Sequence, residues 1–322
     1  MKQKFASIIL AFVLATLLPL PVKAAEGLMP VGKIIGLQLK DGTVTVAAYD
    51  DALGGKARDA GLKIGDVIEK VDGETVTSAE EVRSALDRCG EAVCLELRRS
   101  GKPVTVTLSP QRSQGRAKLG VYLRQGIAGI GTVTFFDPGT GTFGALGHGV
   151  SSARGTLLSM KEGFAYNAQV EDVKRGVSGQ PGQLRGVADG EHTFGVLRKN
   201  TAQGVFGTAS TFCQGEMLPL ADYEDIHAGP ASIRSTVSGT TPKEYSVEIV
   251  KVYPEAREDG RNFLLKVTDP ELLAVTGGIV QGMSGSPILQ DGKFVGAVTH
   301  VLVGDAAVGY GIYIGNMLQA AA

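Results

Sequence analysis

The sequence predicts a mainly β protein in two folded parts: a small α/β domain followed by a larger barrel-type β domain. Glycine is abundant, tryptophan is absent, and short Val/Ile/Thr runs recur between turn residues, a composition that suits many strands and few long helices. Residues 28 to about 110 alternate capped helical segments with strands, whereas residues 115–322 carry almost no helical periodicity. The length of 322 residues accommodates two or three domains and at least one large core.

Ahead of both parts, Lys2 and Lys4 precede an apolar stretch over 5–20, and Pro19 and Pro21 lead into Val22-Lys23-Ala24-Ala25. A basic start, an apolar centre and a V-x-A site form the pattern of a secretory signal peptide over residues 1–25. The apolar run is shorter than the ~20 residues of a spanning helix; retention as a membrane anchor is the alternative. Either way the rest of the chain is expected outside the cytoplasm. A formal net charge of −1 and the lack of a long basic run leave no electrostatic footprint for nucleic acid. Cys89 and Cys94 are close enough for a small disulfide loop in an oxidising compartment, and equally suit two buried thiols; Cys213 is the third. No CxxC pair occurs and the four histidines are scattered, so neither a metal nor a cofactor is expected.

In the first part, Ala57-Arg58-Asp59-Ala60-Gly61-Leu62 reads as a short helix closed by a glycine cap. Lys63-Ile64-Gly65-Asp66 is a turn, Val67, Ile68 and Val71 alternate as a strand, and Asp72-Gly73 turns the chain. Ser78 with Glu81 forms a capping box, opening a helix with Val82, Ala85 and Leu86 on its apolar side. Val93, Leu95 and Leu97, then Val104, Val106 and Leu108, alternate as a hairpin turned at Gly101. The run over 60–73 resembles the PDZ domains of bacterial proteases, which assigns residues 28–112 to that fold. The resemblance implies a carboxylate-binding loop of apolar-Gly-apolar type, and Ile35-Gly36-Leu37 matches it. Backbone N–H groups there would receive the carboxylate of a peptide tail, the peptide would add as a strand beside Leu37-Gln38-Leu39, and the helix at 79–88 would form the other wall.

In residues 113–322 short strands recur over 131–136, 165–173, 193–197, 245–252 and 262–267, separated by turn signals such as Asp137-Pro138-Gly139 and Asp259-Gly260. The spacing is barrel-like, without βαβ alternation. Gly282-Met283-Ser284-Gly285-Ser286-Pro287 brackets a serine between glycines on a tight loop that feeds a hairpin turned at Asp291-Gly292. A nucleophilic serine is presented in this way when backbone N–H groups must also face an oxyanion; those of Gly282 and Ser284 are the candidate donors. Far upstream, Gly144-Ala145-Leu146-Gly147-His148-Gly149 sets a candidate general base in an equally glycine-rich turn. A GxSxG elbow would need glycine at 286, where Ser286 stands, and a helix where strands are predicted. An esterase of α/β-hydrolase type is disfavoured.

The nucleophile loop, its hairpin and the later Gly309-Tyr310-Gly311 strand resemble the C-terminal barrel of chymotrypsin-like serine peptidases, whose Gly-x-Ser-Gly-x-Pro pattern residues 282–287 satisfy. With the PDZ pattern and the long runs over 143–149 and 276–287, the chain resembles the stage IV sporulation protein B (SpoIVB) peptidases of endospore-forming bacteria. The resemblance implies a PDZ domain followed by a chymotrypsin-like double β-barrel. It implies a secreted serine endopeptidase between mother cell and forespore, which cuts itself and membrane-associated regulatory proteins and so triggers processing of a sigma factor. It also implies a triad of Ser284, His148 and Asp269. Asp269 lies only 15 residues before Ser284, whereas chymotrypsin-like enzymes bring the acid from nearer the histidine. Asp172, Asp189, Asp222 and Asp225 compete, and a Thr-Asp-Pro turn also suits a capping aspartate. Thr299, His300 and Val301 are expected to line the substrate's main chain as an edge strand. In Val303-Gly304-Asp305 a glycine stands where the family pattern has asparagine, which touches loop specificity and not the chemistry. The competing function is a catalytically silent PDZ-bearing scaffold that binds peptide tails; the presence of both His148 and Ser284 counts against it.

Overall fold

The computed structural model describes residues 27–322 apart from 114, 153–154, 210–214 and 258; the expected signal segment and Cys213 lie outside the described residues. The chain opens with β1 (Met29–Pro30) and the long strand β2 (Ile34–Tyr49). An α/β unit follows, made of α1 (Gly55–Asp59), β3 (Val67–Val71), β4 (Glu74–Thr75), α2 (Ala79–Arg88), β5 (Val93–Arg99), β6 (Lys102–Leu108), β7 (Gln111–Ser113) and β8 (Arg116–Lys118). A second long strand, β9 (Val121–Asp137), leads to β10 (Thr142–Ala145), β11 (Glu162–Lys174), β12 (Gln183–Thr201) and β13 (Gly204–Ala209). The remainder forms β14 (Gly229–Ser235), β15 (Lys243–Val252), β16 (Phe263–Val267), α3 (Pro270–Thr276), β17 (Pro287–Gln290), β18 (Lys293–Leu302), β19 (Asp305–Tyr313) and α4 (Ile314–Ala321).

Two rings close. Strands β9, β10, β13, β12, β11 and β2 pair in that order, and β2 pairs back to β9. Strands β14, β15, β16, β19, β18 and β17 close a second barrel. Alternation builds the walls: in β15, Tyr245, Val247 and Ile249 point inward while their neighbours are exposed. The barrels meet through Phe135, Phe206, Leu289, Phe294, Ala297 and Ile312, with Ile314 and Met317 of α4 packed beside them. Each of these side chains apart from Ala297 contributes about 1.5–3 kcal/mol of burial, which holds the two barrels against each other. The double β-barrel expected from the sequence is therefore present.

The α/β unit is not a separate leading domain. It is inserted between β2 and β9 of the first barrel, and both strands run through both units. Ile35, Leu37 and Leu39 of β2 pack with Val133, Phe143 and Ala145, whereas Val44 and Val46 of the same strand pack with Ile68, Val82 and Leu95. The boundary expected at residue 28 thus moves into the middle of β2. Local chemistry within the unit is as the sequence implies. Ser78 Oγ accepts from the Glu81 N–H at 3.1 Å, and the Glu81 carboxylate accepts from the Thr77 N–H at 2.6 Å, a capping box displaced by one residue. Cys89 and Cys94 are free thiols.

Candidate active site

Ser284 sits on the loop joining α3 to β17. Gly285 permits that loop: its φ is +97°, and a Cβ there would lie 2.1 Å from the Thr132 carbonyl oxygen. The Gly285 N–H donates to the Val298 carbonyl at 2.7 Å, and the Val298 N–H donates to the Ser286 carbonyl at 2.9 Å, tying the loop to β18. Half-buried Ser284 donates its hydroxyl to the Thr299 carbonyl at 2.7 Å. Thr299 is the residue at which β18 slips register against β19, between Val298 and His300, and a bulge of this kind frees a carbonyl from the ladder.

Two peptide planes beside Ser284 are fixed by hydrogen bonds. The Gln281 carbonyl accepts from the Leu184 N–H at 2.8 Å, and the Met283 carbonyl accepts from the Ser286 N–H at 2.9 Å. In a trans peptide the N–H points opposite to the C=O, so the Gly282 and Ser284 N–H groups are turned the other way. Neither has a hydrogen-bond partner among the described residues. Gln281, Gly282, Ser284 and His148 line one cavity of about 320 Å³, whose other walls include Leu37, Leu39, Ile127, Ile130, Leu146 and Val150.

His148 comes from the first barrel, after two successive left-handed residues, Leu146 at φ +71° and Gly147 at φ +68°. Its Nδ1 lies 3.0 Å from the Gly149 carbonyl. That acceptor places the proton on Nδ1 and leaves Nε2 as the basic nitrogen. Burial pulls the imidazole pKa below its ordinary value, against a smaller opposing effect of the Gly149 carbonyl, so the ring is neutral near pH 7. The ring of His300 lies beside it, centroids 5.0 Å apart and tilted by 35°. Loss of hydration first, and the neighbouring His148 second, push His300 down to about 4; its outer face is exposed to water, which moderates the effect. Both imidazoles are bases rather than cations at neutral pH.

The structure does not bring Asp269 to His148. Its carboxylate caps α3, accepting from the Leu272 N–H at 2.9 Å and the Ser246 N–H at 3.3 Å. Register explains the separation: His300 is opposite Tyr310, which is opposite Leu264, and Asp269 lies five residues further along, on the order of 15 Å. The other candidate aspartates are also engaged elsewhere or away from the imidazole: Asp172 with Arg185, Asp189 with His192 and Asp225 with Lys293, and Asp222 makes no hydrogen bond to His148. Thr299, His300 and Val301 lie in β18 beyond the end of its pairing with β17, which stops at Ala297. Past that point β18 is bonded to the nucleophile loop through Val298 and Thr299.

The expected carboxylate loop is corrected. Ile35, Gly36 and Leu37 lie inside β2, paired on one edge with Asn167, Tyr166 and Ala165 and on the other with Gly131, Ile130 and Gly129. No edge is left for a peptide. Gly36 answers a packing demand, since a Cβ there would fall 2.4 Å from Ala188 Cβ. The α/β unit nevertheless has a groove of about 300 Å³, walled by Ala79, Val82, Arg83 and Leu86 of α2 and by Leu119–Leu123 opposite. Val121, Tyr122 and Leu123 pair with β2 on one edge and turn the other towards α2. Leu119-Gly120-Val121 is a second apolar-Gly-apolar run, with Gly120 at φ +76° and no hydrogen-bond partner for the Leu119 or Gly120 N–H among the described residues.

Two closed β-barrels, with Ser284 on a glycine loop of one and His148 on a turn of the other, make a chymotrypsin-like double barrel, here with a PDZ-type unit inserted. The chain belongs to the SpoIVB peptidase S55 family, whose profile matches residues 115–318; a PDZ domain profile matches residues 52–99. Among solved structures, the active form of the Rv3671c protease from M. tuberculosis is 12% identical, with 60% of this chain and 72% of that chain covered and a TM-score of 0.38. An HtrA-type protease, AlgW, solved with a tripeptide, is 11% identical, with 60% and 54% covered and a TM-score of 0.36. No curated protein sequence matches the chain.

Proposed function

We propose that Ser284 and His148 form the working pair of this serine peptidase, with the Gly282 and Ser284 N–H groups as the oxyanion hole. The observation that carries the reading is that Gly282 and Ser284, whose amides have no hydrogen-bond partner among the described residues, line one cavity with His148. Substrate entry draws the Ser284 hydroxyl off the Thr299 carbonyl; His148 Nε2 takes its proton as Oγ attacks the scissile carbonyl, then returns it to the leaving amine. The Gly149 carbonyl holds the imidazole in the tautomer this needs. Negative charge developing on the substrate oxygen meets the two amides, each contributing ~3 kcal/mol of transition-state stabilisation. The open edge of β18 at His300 and Val301 is suited to pair with the substrate's main chain.

The groove between α2 and Leu119–Leu123 is assigned to peptide tails: the Leu119 and Gly120 amides for the carboxylate, the edge of β9 for the backbone. Membership of the SpoIVB family and the signal-type N-terminus support an exported enzyme, secreted or anchored, in the space between mother cell and forespore. There it would cut itself and membrane-associated regulatory proteins in sporulation signalling that activates a sigma factor. The chemistry is tested with a fluorophosphonate probe. Labelling is expected at Ser284, absent in Ser284→Ala and slowed by orders of magnitude in His148→Ala; undiminished labelling of Ser284→Ala would remove Ser284 from the mechanism.

A further inference from the structure

Thr132, in the middle of β9, is fully buried, and every polar group it owns points at the active site. Its N–H donates to the Ser284 carbonyl at 3.1 Å, and its carbonyl accepts from the Leu146 N–H at 3.1 Å, two residues before His148. Its Oγ1 donates to the Gly282 carbonyl at 2.8 Å. One residue thus touches the nucleophile's own peptide, the peptide beside the first oxyanion amide and the turn that carries the base. These come from two separate segments of chain, one of them in the other barrel.

We propose that Thr132 is a positioning residue that holds the oxyanion loop in register with His148, an inference that rests on Ser284 being the nucleophile. The backbone bonds of Thr132 survive any substitution that keeps β9 in place, so the hydroxyl is the part that side-chain chemistry controls. It fixes the Gly282 carbonyl, and with it the plane of the 282–283 peptide. That plane lies between the two peptides that supply the N–H donors. With valine at 132 the shape is kept, but the carbonyl of half-buried Gly282 loses its partner. An unpaired carbonyl is unfavourable there, so the loop turns to find another donor and the Gly282 and Ser284 amides leave their aim. Thr134, two residues on and also buried, has no partner for its hydroxyl among the described residues. Burial in β9 alone therefore does not explain the bond that Thr132 makes.

The test uses the purified chain and the rate of fluorophosphonate labelling, separated into the maximal rate kinact and the half-saturating concentration KI. Thr132→Val is expected to lower kinact about tenfold or more with KI within roughly twofold, because the probe's oxygen enters the oxyanion hole only as the bond to Ser284 forms. Thr132→Ser, which retains the hydroxyl, is expected to restore kinact to within about threefold. If Thr132→Val does not fold, Thr132→Cys, a weaker donor of similar size, replaces it in the comparison. A folded Val or Cys variant that labels at the parent rate overturns the proposal, as does an equal loss in the Ser variant. Failure of the parent itself to label at Ser284 would instead remove the nucleophile assignment.

Discussion

His148 must be neutral to accept the Ser284 proton, and its surroundings arrange this by burial. Because the folded imidazole lies below its ordinary pKa of 6.5, the basic form persists as pH falls past that value. The acid limb of the labelling rate at Ser284 is therefore expected to have its midpoint below 6.5, read from rates across pH 4–8; a midpoint at or above 6.5 would mean that water or a carboxylate reaches the ring. The same burial has a stability consequence of matching sign. The unfolded chain takes up the proton first, so this contribution is complete above the unfolded pKa and is lost as pH falls through the folded one. At this scale the sequence is legible where function is local. Ser284 and Gly282 share one short loop and His148 one turn, and their glycines announce both. Thr132 carries no such signal, since a threonine within a strand acquires its role only from the two loops that fold onto it. Asp269 shows the converse: a Thr-Asp-Pro run is as good a helix cap as a triad member, and only the register of β16 separates the two.

Among the elements, α2 and the start of β9 make the groove, and the choice of carboxylate loop decides what it can bind. Arg83 and Lys118 line it and neither makes an ion pair among the described residues, so a terminal carboxylate would meet two cations as well as the Leu119 and Gly120 amides. A peptide with a free C-terminus is expected to bind at least about tenfold more tightly than its C-terminal amide, and Arg83→Glu to weaken the acid form by roughly three- to tenfold. Fluorescence anisotropy with labelled peptides measures both. Equal binding of acid and amide would rule out the carboxylate role of Leu119-Gly120-Val121. The helix wall was legible from the Ser78 capping box and the spacing of Val82, Ala85 and Leu86. The opposite wall was not, because Ile35-Gly36-Leu37 and Leu119-Gly120-Val121 fit the same pattern. What separates them is which strand has a free edge, a property of the assembled sheet and of no single segment.

For the whole molecule, the shared strands β2 and β9 decide which fragments can fold. The family profile begins at residue 115, yet a chain cut there lacks residues 34–39 of β2, which pair with both β11 and β9. Without them the first barrel has five strands, two open edges and a gap where Ile35, Leu37 and Leu39 are buried, and the core of the second barrel loses Ile34. Loss of four such side chains removes about 6–12 kcal/mol of burial, comparable to the whole stability of a domain. The alternative cut follows the register. Tyr49 and Val121 are the last directly paired residues of the β2–β9 ribbon, at its end within the α/β unit, so residues 50–120 can be replaced by an Asn-Gly turn that continues the hairpin. Residues 27–49 joined through that turn to 121–322 are expected to give a cooperatively melting protein that still labels at Ser284, while residues 115–322 alone are expected to show neither property. Calorimetry and fluorophosphonate labelling of the two fragments decide the point. A folded, reactive 115–322 would show that β2 is dispensable and that the α/β unit is appended to the peptidase, not threaded into it.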